Sequence, residues 1–337
     1  MTETILLTGI SGFIAKHVAV KLLNAGYAVR GTVRRLDRAE EVQSAVSPHL
    51  TAGAGGLSFV QADLESDAGW AEAMAGVAAV VHTASPFPLA QPRDEQMLIR
   101  PAMEGTLRVL KAAQSAGVRR VVLTSSSVAV LNDGKPGVVQ DESDWCDVSL
   151  PGTTAYAKSK TLAERAAWEF ARGTGMALTT INPGLVLGPP LDIHYGSSLR
   201  VVERLLKGRD PMVPDFGPPV VDVRDVAEMH LRALQRPETA GKRFIAVSGP
   251  MQFPEMARAL KAAYPVRRIA TRIAPSFVLR LLARFDPAIR AILPKLGHVE
   301  RLANQRAVQE MEMAFIAPKA ALLASAEWLV THGRAWA

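Results

Sequence analysis

The chain has 337 residues, of which 48% are hydrophobic and 21% charged, a balance that is typical of a folded globular protein and excludes a disordered one. Its 39 basic and 32 acidic residues give a formal net charge of +7, which favours a basic surface or an anionic ligand. The basic residues are scattered, so we expect no nucleic-acid partner. The single cysteine, Cys146, excludes an intramolecular disulfide and predicts a cytoplasmic location.

The hydrophobic runs of the chain are short. None approaches the ~20 residues that a membrane span needs, so we expect no span. The acidic start at residues 1–4 lacks the positive charge of a signal peptide. Arginines interrupt the apolar stretch at residues 269–296, which therefore indicates an amphipathic surface helix or a lid.

Strand and helix patterns alternate along the first half of the chain. Helical spacing occupies residues 13–25 and 153–173. Strand-length apolar runs are found at residues 4–8, 27–33, 57–61, 78–83, 120–125 and 178–182. Nearly continuous apolar strands separated by helices are typical of a parallel sheet that is covered on both faces. The sequence therefore predicts an α/β fold with a doubly wound parallel sheet, as in the Rossmann fold.

The pattern changes after Pro183. Proline and glycine cluster there, and helical and short strand patterns mix without strict alternation. We therefore expect a sheet domain at residues 1–182 and a smaller mixed lobe at residues 183–337. The chain is expected to cross back to the sheet near residues 220–250.

A glycine-rich turn follows the first strand and opens the first helix. Gly9 permits a tight turn, Gly12 lets the backbone approach a pyrophosphate, and Ala15 is small enough for the helix to pack on the sheet. The helix N-terminus offers free N–H groups and a positive dipole to phosphate. In this context the pattern predicts a dinucleotide site. The residues of this turn that we expect to bind the cofactor are Gly9, Ser11, Gly12, Phe13 and Ile14.

Arginines stand after the second strand, where an NAD site would carry an acidic residue for the ribose 2′-hydroxyl. Arg34 is the first candidate for a 2′-phosphate, Arg38 lies one helical turn further on, and Arg35 is a substitute. A guanidinium can donate two hydrogen bonds to a phosphate, so the sequence predicts NADP(H). Asp37 lies close by, so the use of NAD stays open. The alternative is a solvated basic turn.

Asp63 and Leu64 follow the third strand. We expect the Asp63 carboxylate to accept a hydrogen bond from the adenine amino group and Leu64 to lie against the ring. The structural alternative for Asp63 is a helix N-cap.

Three residues form a candidate catalytic set. Tyr156 and Lys160 are four residues apart on one predicted helix, so they share a face. A free tyrosine has a pKa of about 10, which a nearby lysine cation would lower. The same lysine can hold a ribose hydroxyl. Ser126 follows a strand, at the sheet edge where ligands bind, and can hydrogen-bond a substrate oxygen as charge develops.

The order of these motifs resembles that of extended short-chain dehydrogenases/reductases, in the NAD-dependent epimerase/dehydratase superfamily. More narrowly, the chain is similar to dihydroflavonol reductases, cinnamoyl-CoA reductases and microbial aldehyde and ketone reductases. The resemblance covers nearly the whole chain and weakens after about residue 250. The segments that carry it are residues 8–15, 32–34, 81–87, 124–126, 156–160, 182–189 and 221–227.

The resemblance implies further roles. It makes Ser126, the second serine after Thr124, the catalytic serine. It makes residues 1–182 an NADP-binding Rossmann domain and residues 183–337 a substrate-binding lobe. Further cofactor contacts that it implies are Thr83, Ala84, Ser85, Pro183, Val186 and Ser198. The residues that we expect to bind substrate are Phe87, Ser126, Leu131 and Tyr156.

Departures from the family pattern bear on the substrate. Residues 131–152 are irregular and predict a substrate-facing loop. Leu131 and Asn132 do not match the asparagine register associated with flavonoid reduction, and the Asn-Trp-Tyr pattern of cinnamoyl-CoA reductases is absent before Tyr156. We therefore expect a small to medium, partly apolar substrate, with residues 187–216 contributing to its pocket.

The sequence thus predicts an NADPH-dependent reductase that transfers hydride between the nicotinamide and a carbonyl or alcohol carbon. No histidine shows metal-ligand spacing, so we expect no metal. One alternative is a nucleotide-sugar or steroid epimerase or dehydrogenase, which would favour an acidic residue where Arg34 stands. Another is a non-catalytic NADP-binding regulatory protein, which would commonly lack Tyr156 and Lys160. A homodimer and a monomer both stay open.

Overall fold

The computed structural model describes residues 2–85, 94–132 and 137–335. Its strands are β1 (Thr4–Thr8), β2 (Ala28–Val33), β3 (Leu57–Gln61), β4 (Ala79–His82), β5 (Arg120–Thr124), β6 (Ala177–Pro183), β7 (Leu185–Leu187), β8 (Pro219–Asp222), β9 (Lys242–Ala246) and β10 (Gly249–Pro250). Its helices are α1 (Phe13–Asn24), α2 (Ala39–Val46), α3 (Trp70–Met74), α4 (Gln96–Ser115), α5 (Ala155–Thr174), α6 (Ser197–Lys207), α7 (Val223–Gln235), α8 (Phe253–Ala263), α9 (Ser276–Leu282), α10 (Pro287–Ile292), α11 (Gln305–Glu310) and α12 (Pro318–Thr331).

Seven of these strands form one parallel sheet in the order β3-β2-β1-β4-β5-β6-β9. The strand order reverses between β1 and β4, and ligands of such sheets bind in the crevice at that point. The predicted doubly wound sheet is therefore confirmed. The runs expected at residues 4–8 and 57–61 are strands with those bounds, and the other expected strands differ by one residue at each altered end.

The sheet is buried on both faces because successive side chains of a strand point to opposite sides. In β1, Ile5 and Leu7 pack with α1 and α7 on one face. Leu6 packs on the other face, with the cluster that α3, α4 and α5 complete. This two-sided burial explains the nearly continuous apolar strands.

The second half of the chain adds one strand to the main sheet. In the expected crossing at residues 220–250, β8 pairs with β7 and β10 in a small separate sheet, whereas β9 joins the main sheet beside β6. The small sheet has its own core, in which Leu187 and Val220 pack with residues of α6, α8 and α12. The main sheet therefore includes a strand from residues 220–250, the range in which the chain is expected to return to the sheet.

Candidate active site

The glycine turn between β1 and α1 lies at the β1–β4 switch point. Gly9 has φ +65°, and a Cβ atom there would stand 2.9 Å from the Cα atom of Ala84. The Gly9 amide donates to Thr32 Oγ1 at 2.9 Å, and the Gly12 amide donates to the Gly9 carbonyl at 2.9 Å. Gly12 is the N-cap of α1 and provides no side-chain cap for its first N–H groups. A turn with glycine at both of its ends, beside an uncapped helix start, fits a dinucleotide phosphate.

The residues after β4 are held against this turn by Thr8. The amides of Thr83 and Ala84 both donate to Thr8 Oγ1 at 3.1 Å, and Thr83 Oγ1 donates to the Thr8 carbonyl at 2.6 Å. Ser85 is half-buried and follows directly. Phe87 lies outside the described residues. The expected cofactor residues Gly9, Thr83 and Ala84 are therefore neighbours.

Ser11, Phe13 and Ile14 continue the turn into α1. Ser11 and Ile14 are half-buried. Phe13 is buried, with its ring edge-on to His17 at 5.7 Å between centroids. Gly196, just before α6, lies against Phe13, and a Cβ atom there would be 3.9 Å from Phe13 Cβ. The start of α6, which carries the half-buried Ser198, is thus brought to the start of α1.

The arginines after β2 differ in their partners. Arg34 is exposed, and its side chain has no polar partner among the residues that the structure describes. Arg38 donates two hydrogen bonds to the Glu41 carboxylate, at 2.7 and 2.9 Å. Arg35 pairs with Asp37. Arg34 can therefore take a phosphate directly, whereas Arg38 would have to share its guanidinium with Glu41.

Asp63 stabilises a turn and does not cap a helix. Its Oδ1 accepts from the Glu65 amide at 3.0 Å, and its carbonyl accepts from Trp70 Nε1 at 3.0 Å. Helix α3 begins later, with Gly69 as its N-cap. Leu64 packs on Gly105 of α4, where a Cβ atom would meet Leu64 Cβ at 2.9 Å. The helix-cap alternative for Asp63 is thus wrong.

The candidate catalytic residues come from two elements. Tyr156 and Lys160 lie on the first turns of α5, which begins after Thr154, whose hydroxyl accepts from the Ala157 amide at 3.2 Å. Ser126 lies two residues after the end of β5, and its carbonyl accepts from Asn182 Nδ2 at 3.2 Å. The Ser126 side chain lies near enough to the Tyr156 phenol to act on its pKa. The serine and the tyrosine of the predicted set therefore meet in the structure.

The protonation of this set follows from burial. Burial raises the pKa of the Tyr156 phenol, and the hydrogen bond with Ser126 opposes that rise. Burial lowers the pKa of Lys160 to about 8, against the stabilising charge of Glu164. Burial, and then the charge of Lys160, lower the pKa of His82 to about 3, so His82 is neutral. Ser126 is thus the group that lowers the Tyr156 pKa, whereas the sequence predicts that effect for Lys160.

The remaining expected residues lie in different places. Pro183 is the buried end of β6, and Val186 is buried in β7, where it pairs with Val221. Leu131 is buried and borders a small cavity of about 30 Å³ next to residues 298–301. Asp222 is the N-cap of α7, and its Oδ1 accepts from the Arg224 amide at 2.8 Å.

An apolar cavity of about 320 Å³ lies in the C-terminal half, between α6, residues 210–214 and α9. Part of its wall comes from residues 197–214, within the stretch 187–216. Apolar side chains that line it are Val201, Leu205, Met212, Val278, Leu279 and Leu282. Helix α9 thus turns one face to this cavity, while Phe277 and Leu281 are exposed.

The sequence did not predict the roles of three residues that position the site. Thr8, Thr32 and Asn182 hold the backbone of Gly9, Ala84 and Ser126 through side-chain hydrogen bonds. The signal for them in the sequence is that each is a polar residue at or near the end of an apolar strand. Within the described ranges, no cluster of three metal-ligating side chains is present, and no helix is long and apolar enough to span a membrane.

Known reductases resemble this chain over most of its length. Residues 5–247 match the NAD dependent epimerase/dehydratase family. A ketoreductase of Aspergillus niger is 36% identical over 301 residues, which are 82% of this chain and 87% of the relative. Cinnamoyl-CoA reductase 1 of Arabidopsis thaliana is 37% identical over 250 residues, 73% of this chain and 71% of the relative. The crystal structure of yeast methylglyoxal/isovaleraldehyde reductase complexed with NADPH superimposes with a TM-score of 0.81 at 26% identity, covering 98% of this chain and 99% of that one.

Proposed function

We propose that this chain reduces an aldehyde or ketone with NADPH. The chain belongs to the NAD-dependent epimerase/dehydratase family and is a nicotinamide-dependent oxidoreductase of the family's reductase branch. The observation that carries the proposal is the approach of Ser126 to the Tyr156 phenol, one helical turn from Lys160, at the sheet edge that also holds the glycine turn. The relatives named above are reductases, and the yeast neighbour was solved with NADPH.

The cofactor is NADP(H), and when bound it supplies the hydride. The N–H groups after Gly9 and at the start of α1 would hold the pyrophosphate. Arg34, with Arg38 beside it, would bind the 2′-phosphate, because a guanidinium matches the geometry of phosphate oxygens. Asp63 and Leu64 would flank the adenine. Further contacts are assigned to Ser11, Phe13, Ile14, Thr83, Ala84, Ser85, Pro183, Val186 and Ser198.

The chain's own residues would handle the proton. Tyr156 donates a proton to the substrate oxygen as negative charge develops there. Ser126 donates a hydrogen bond to the same oxygen, which strengthens as the charge grows. The Lys160 ammonium holds the ribose and stabilises the phenolate that Tyr156 leaves.

The substrate is proposed to be small to medium and partly apolar, in keeping with the apolar cavity beside α6. Phe87 and Leu131 remain predicted substrate contacts. The division into an NADP-binding domain at residues 1–182 and a substrate lobe at residues 183–337 also remains a proposal. So does a cytoplasmic location. Arg34 argues against an epimerase, and the presence of Tyr156 and Lys160 argues against a regulatory protein without catalysis.

The test is NADPH consumption against a panel of aldehydes, diketones and ketoesters, with NADH in parallel. Tyr156→Phe should abolish turnover while NADPH still binds, because the phenol oxygen takes part in proton transfer and not in holding the phosphates. Tyr195→Phe is the matched control, since Tyr195 donates to Glu203 outside this set, at 3.2 Å. Full activity of Tyr156→Phe would refute the assignment. Tight NADPH binding without turnover of any carbonyl would favour the regulatory alternative.

A further inference from the structure

One buried carboxylate connects the elements that carry the candidate catalytic residues. Glu164 lies on α5, one turn after Lys160, and is completely buried. Its oxygens accept hydrogen bonds from Ser125 Oγ at 2.5 Å, Arg243 Nε at 2.7 Å, Asn182 Nδ2 at 2.8 Å, Thr180 Oγ1 at 3.1 Å and Trp168 Nε1 at 3.2 Å. A buried charge needs such partners, because an unpaired one would cost several kcal/mol.

The cation that neutralises Glu164 is itself anchored. Arg243, on β9, is buried and donates to the carbonyls of Glu142 at 3.0 Å and Asp144 at 2.6 Å. Its guanidinium stands 3.8 Å from the centre of the Trp145 ring. These contacts hold part of the segment between Ser126 and Tyr156 against the sheet. Both partners of the Glu164–Arg243 ion pair are therefore anchored by further contacts.

Glu164 reaches Ser126 through two neighbours. Ser125, which donates to Glu164, immediately precedes Ser126 in the chain. Asn182 donates both to Glu164 and to the Ser126 carbonyl, so one amide bridges the carboxylate and the serine backbone. A shift of Glu164 would thus move the hydroxyl that meets Tyr156.

Glu164 lies four residues after Lys160 on α5, on the same helix face, so its charge acts on Lys160. The charged or titratable groups near Lys160 are Tyr156 and Glu164 on its own helix and His82 on β4. From β9, Arg243 faces Glu164. From α4, Glu95 is bound to Lys158 at 2.8 Å. Because His82 is neutral, Glu164 is the anion that favours the ammonium of Lys160.

We propose that Glu164 is a positioning residue of this site, which fixes Ser126 through Ser125 and Asn182 and keeps the ammonium of Lys160 charged. The role rests on the proposed reductase function. Its electrostatic part can be measured without turnover, in the cofactor-free protein, so that the two proposals can fail separately.

The experiment compares Glu164→Gln with Trp168→Phe. The first substitution removes the charge and keeps the shape, whereas the second removes a single neutral donor to the same carboxylate. Acetic anhydride at trace concentration acetylates only neutral amines. The extent of Lys160 acetylation, measured by mass spectrometry across a pH series, therefore gives the pH at which half of Lys160 is deprotonated, its midpoint. Lys158 on the same helix is the internal reference. We expect Glu164→Gln to move the Lys160 midpoint down by about one pH unit, a tenfold change in the charged fraction, and Trp168→Phe to leave it in place.

Arg243→Gln provides the opposite change. It leaves the Glu164 charge without its cation, so the Lys160 midpoint should move up. A folded Glu164→Gln protein with an unchanged midpoint would overturn the proposal, whatever its activity. If Glu164→Gln does not fold, an unchanged or lowered midpoint in Arg243→Gln would overturn it.

In an active enzyme the alkaline limb of the kcat profile should move with the Lys160 midpoint, which a merely structural role would not produce. A moved midpoint without turnover of any carbonyl would refute the reductase and leave the Glu164 assignment intact.

Discussion

The amide of Gly9 donates a 2.9 Å hydrogen bond to the hydroxyl of Thr32, which ties the turn after β1 to the end of β2. The two residues are 23 positions apart in the chain. Thr32 is buried, so water cannot replace its hydroxyl readily. The turn that is proposed to hold the pyrophosphate is thereby held by the strand that leads to Arg34.

Thr32→Val should therefore weaken the cofactor site. It leaves the Gly9 amide without an acceptor, and an unsatisfied buried donor costs about 1–3 kcal/mol. We expect a lower melting temperature and a weaker NADPH affinity by fluorescence titration. Thr32→Ser keeps the hydroxyl and should bind NADPH nearly as the wild type does. A larger loss in Thr32→Ser than in Thr32→Val would show that the methyl group, and not the hydrogen bond, matters.

Arg34→Gln tests the choice of cofactor. Removing the guanidinium should weaken NADPH binding by roughly 10- to 100-fold, because a hydrogen bond to a charged group contributes about 1.5–3 kcal/mol. Binding of NADH, which has no 2′-phosphate, should hardly change. Dissociation constants for both cofactors give the answer, with Arg35→Gln as the neighbouring control. A parallel loss for both cofactors would exclude a specific 2′-phosphate contact.

The activity should depend on the charge of Lys160. Its pKa is lowered to about 8 by burial, so the ammonium is present below that pH and is lost above it. We expect kcat/KM for a carbonyl to fall as the pH rises through about 8. Lys160→Arg, if it retains turnover, should keep the charge and lose this fall. A profile that stays level well above pH 8 would contradict the assigned role of Lys160.

The buried Asp225 should make stability depend on pH. Burial raises its pKa to about 6, although its carboxylate accepts from the Ile316 amide at 2.8 Å. The folded state therefore binds the proton more tightly than the unfolded state, and ionisation costs stability as the pH rises from about 4 to 6. Asp225→Asn, which can still accept that bond, should raise the free energy of unfolding by about 1–3 kcal/mol above pH 6. Below pH 4 the difference should vanish, which denaturant titrations at several pH values can check.

The cavity beside α6 should set substrate size. Val201→Phe adds bulk to its wall and should raise KM for branched or aromatic carbonyls more than for small aldehydes. Val308→Phe, at an exposed position on α11, is the control for added bulk elsewhere. Kinetic constants for a series of carbonyls of increasing size measure the effect. A uniform change across the series would place the substrate outside this cavity.

Local patterns in the sequence were sufficient for the strands β1–β6, for the glycine turn and for the Tyr156–Lys160 pair. Period and apolar content decide whether a segment such as Thr4–Thr8 becomes a buried strand, and a four-residue spacing puts two side chains on one helix face. These signals lie within one segment, so neighbouring residues determine them.

Tertiary structure alone decided which distant side chains meet. The pairing of Glu164 with Arg243 spans 79 positions, and it requires β9 to lie beside β6. The burial pattern of Lys242–Ala246 would suit many places in a sheet, so it does not specify a neighbour. Strand order depends on how all the layers pack together, and hydrogen-bond partners such as Thr32 for Gly9 follow from that order.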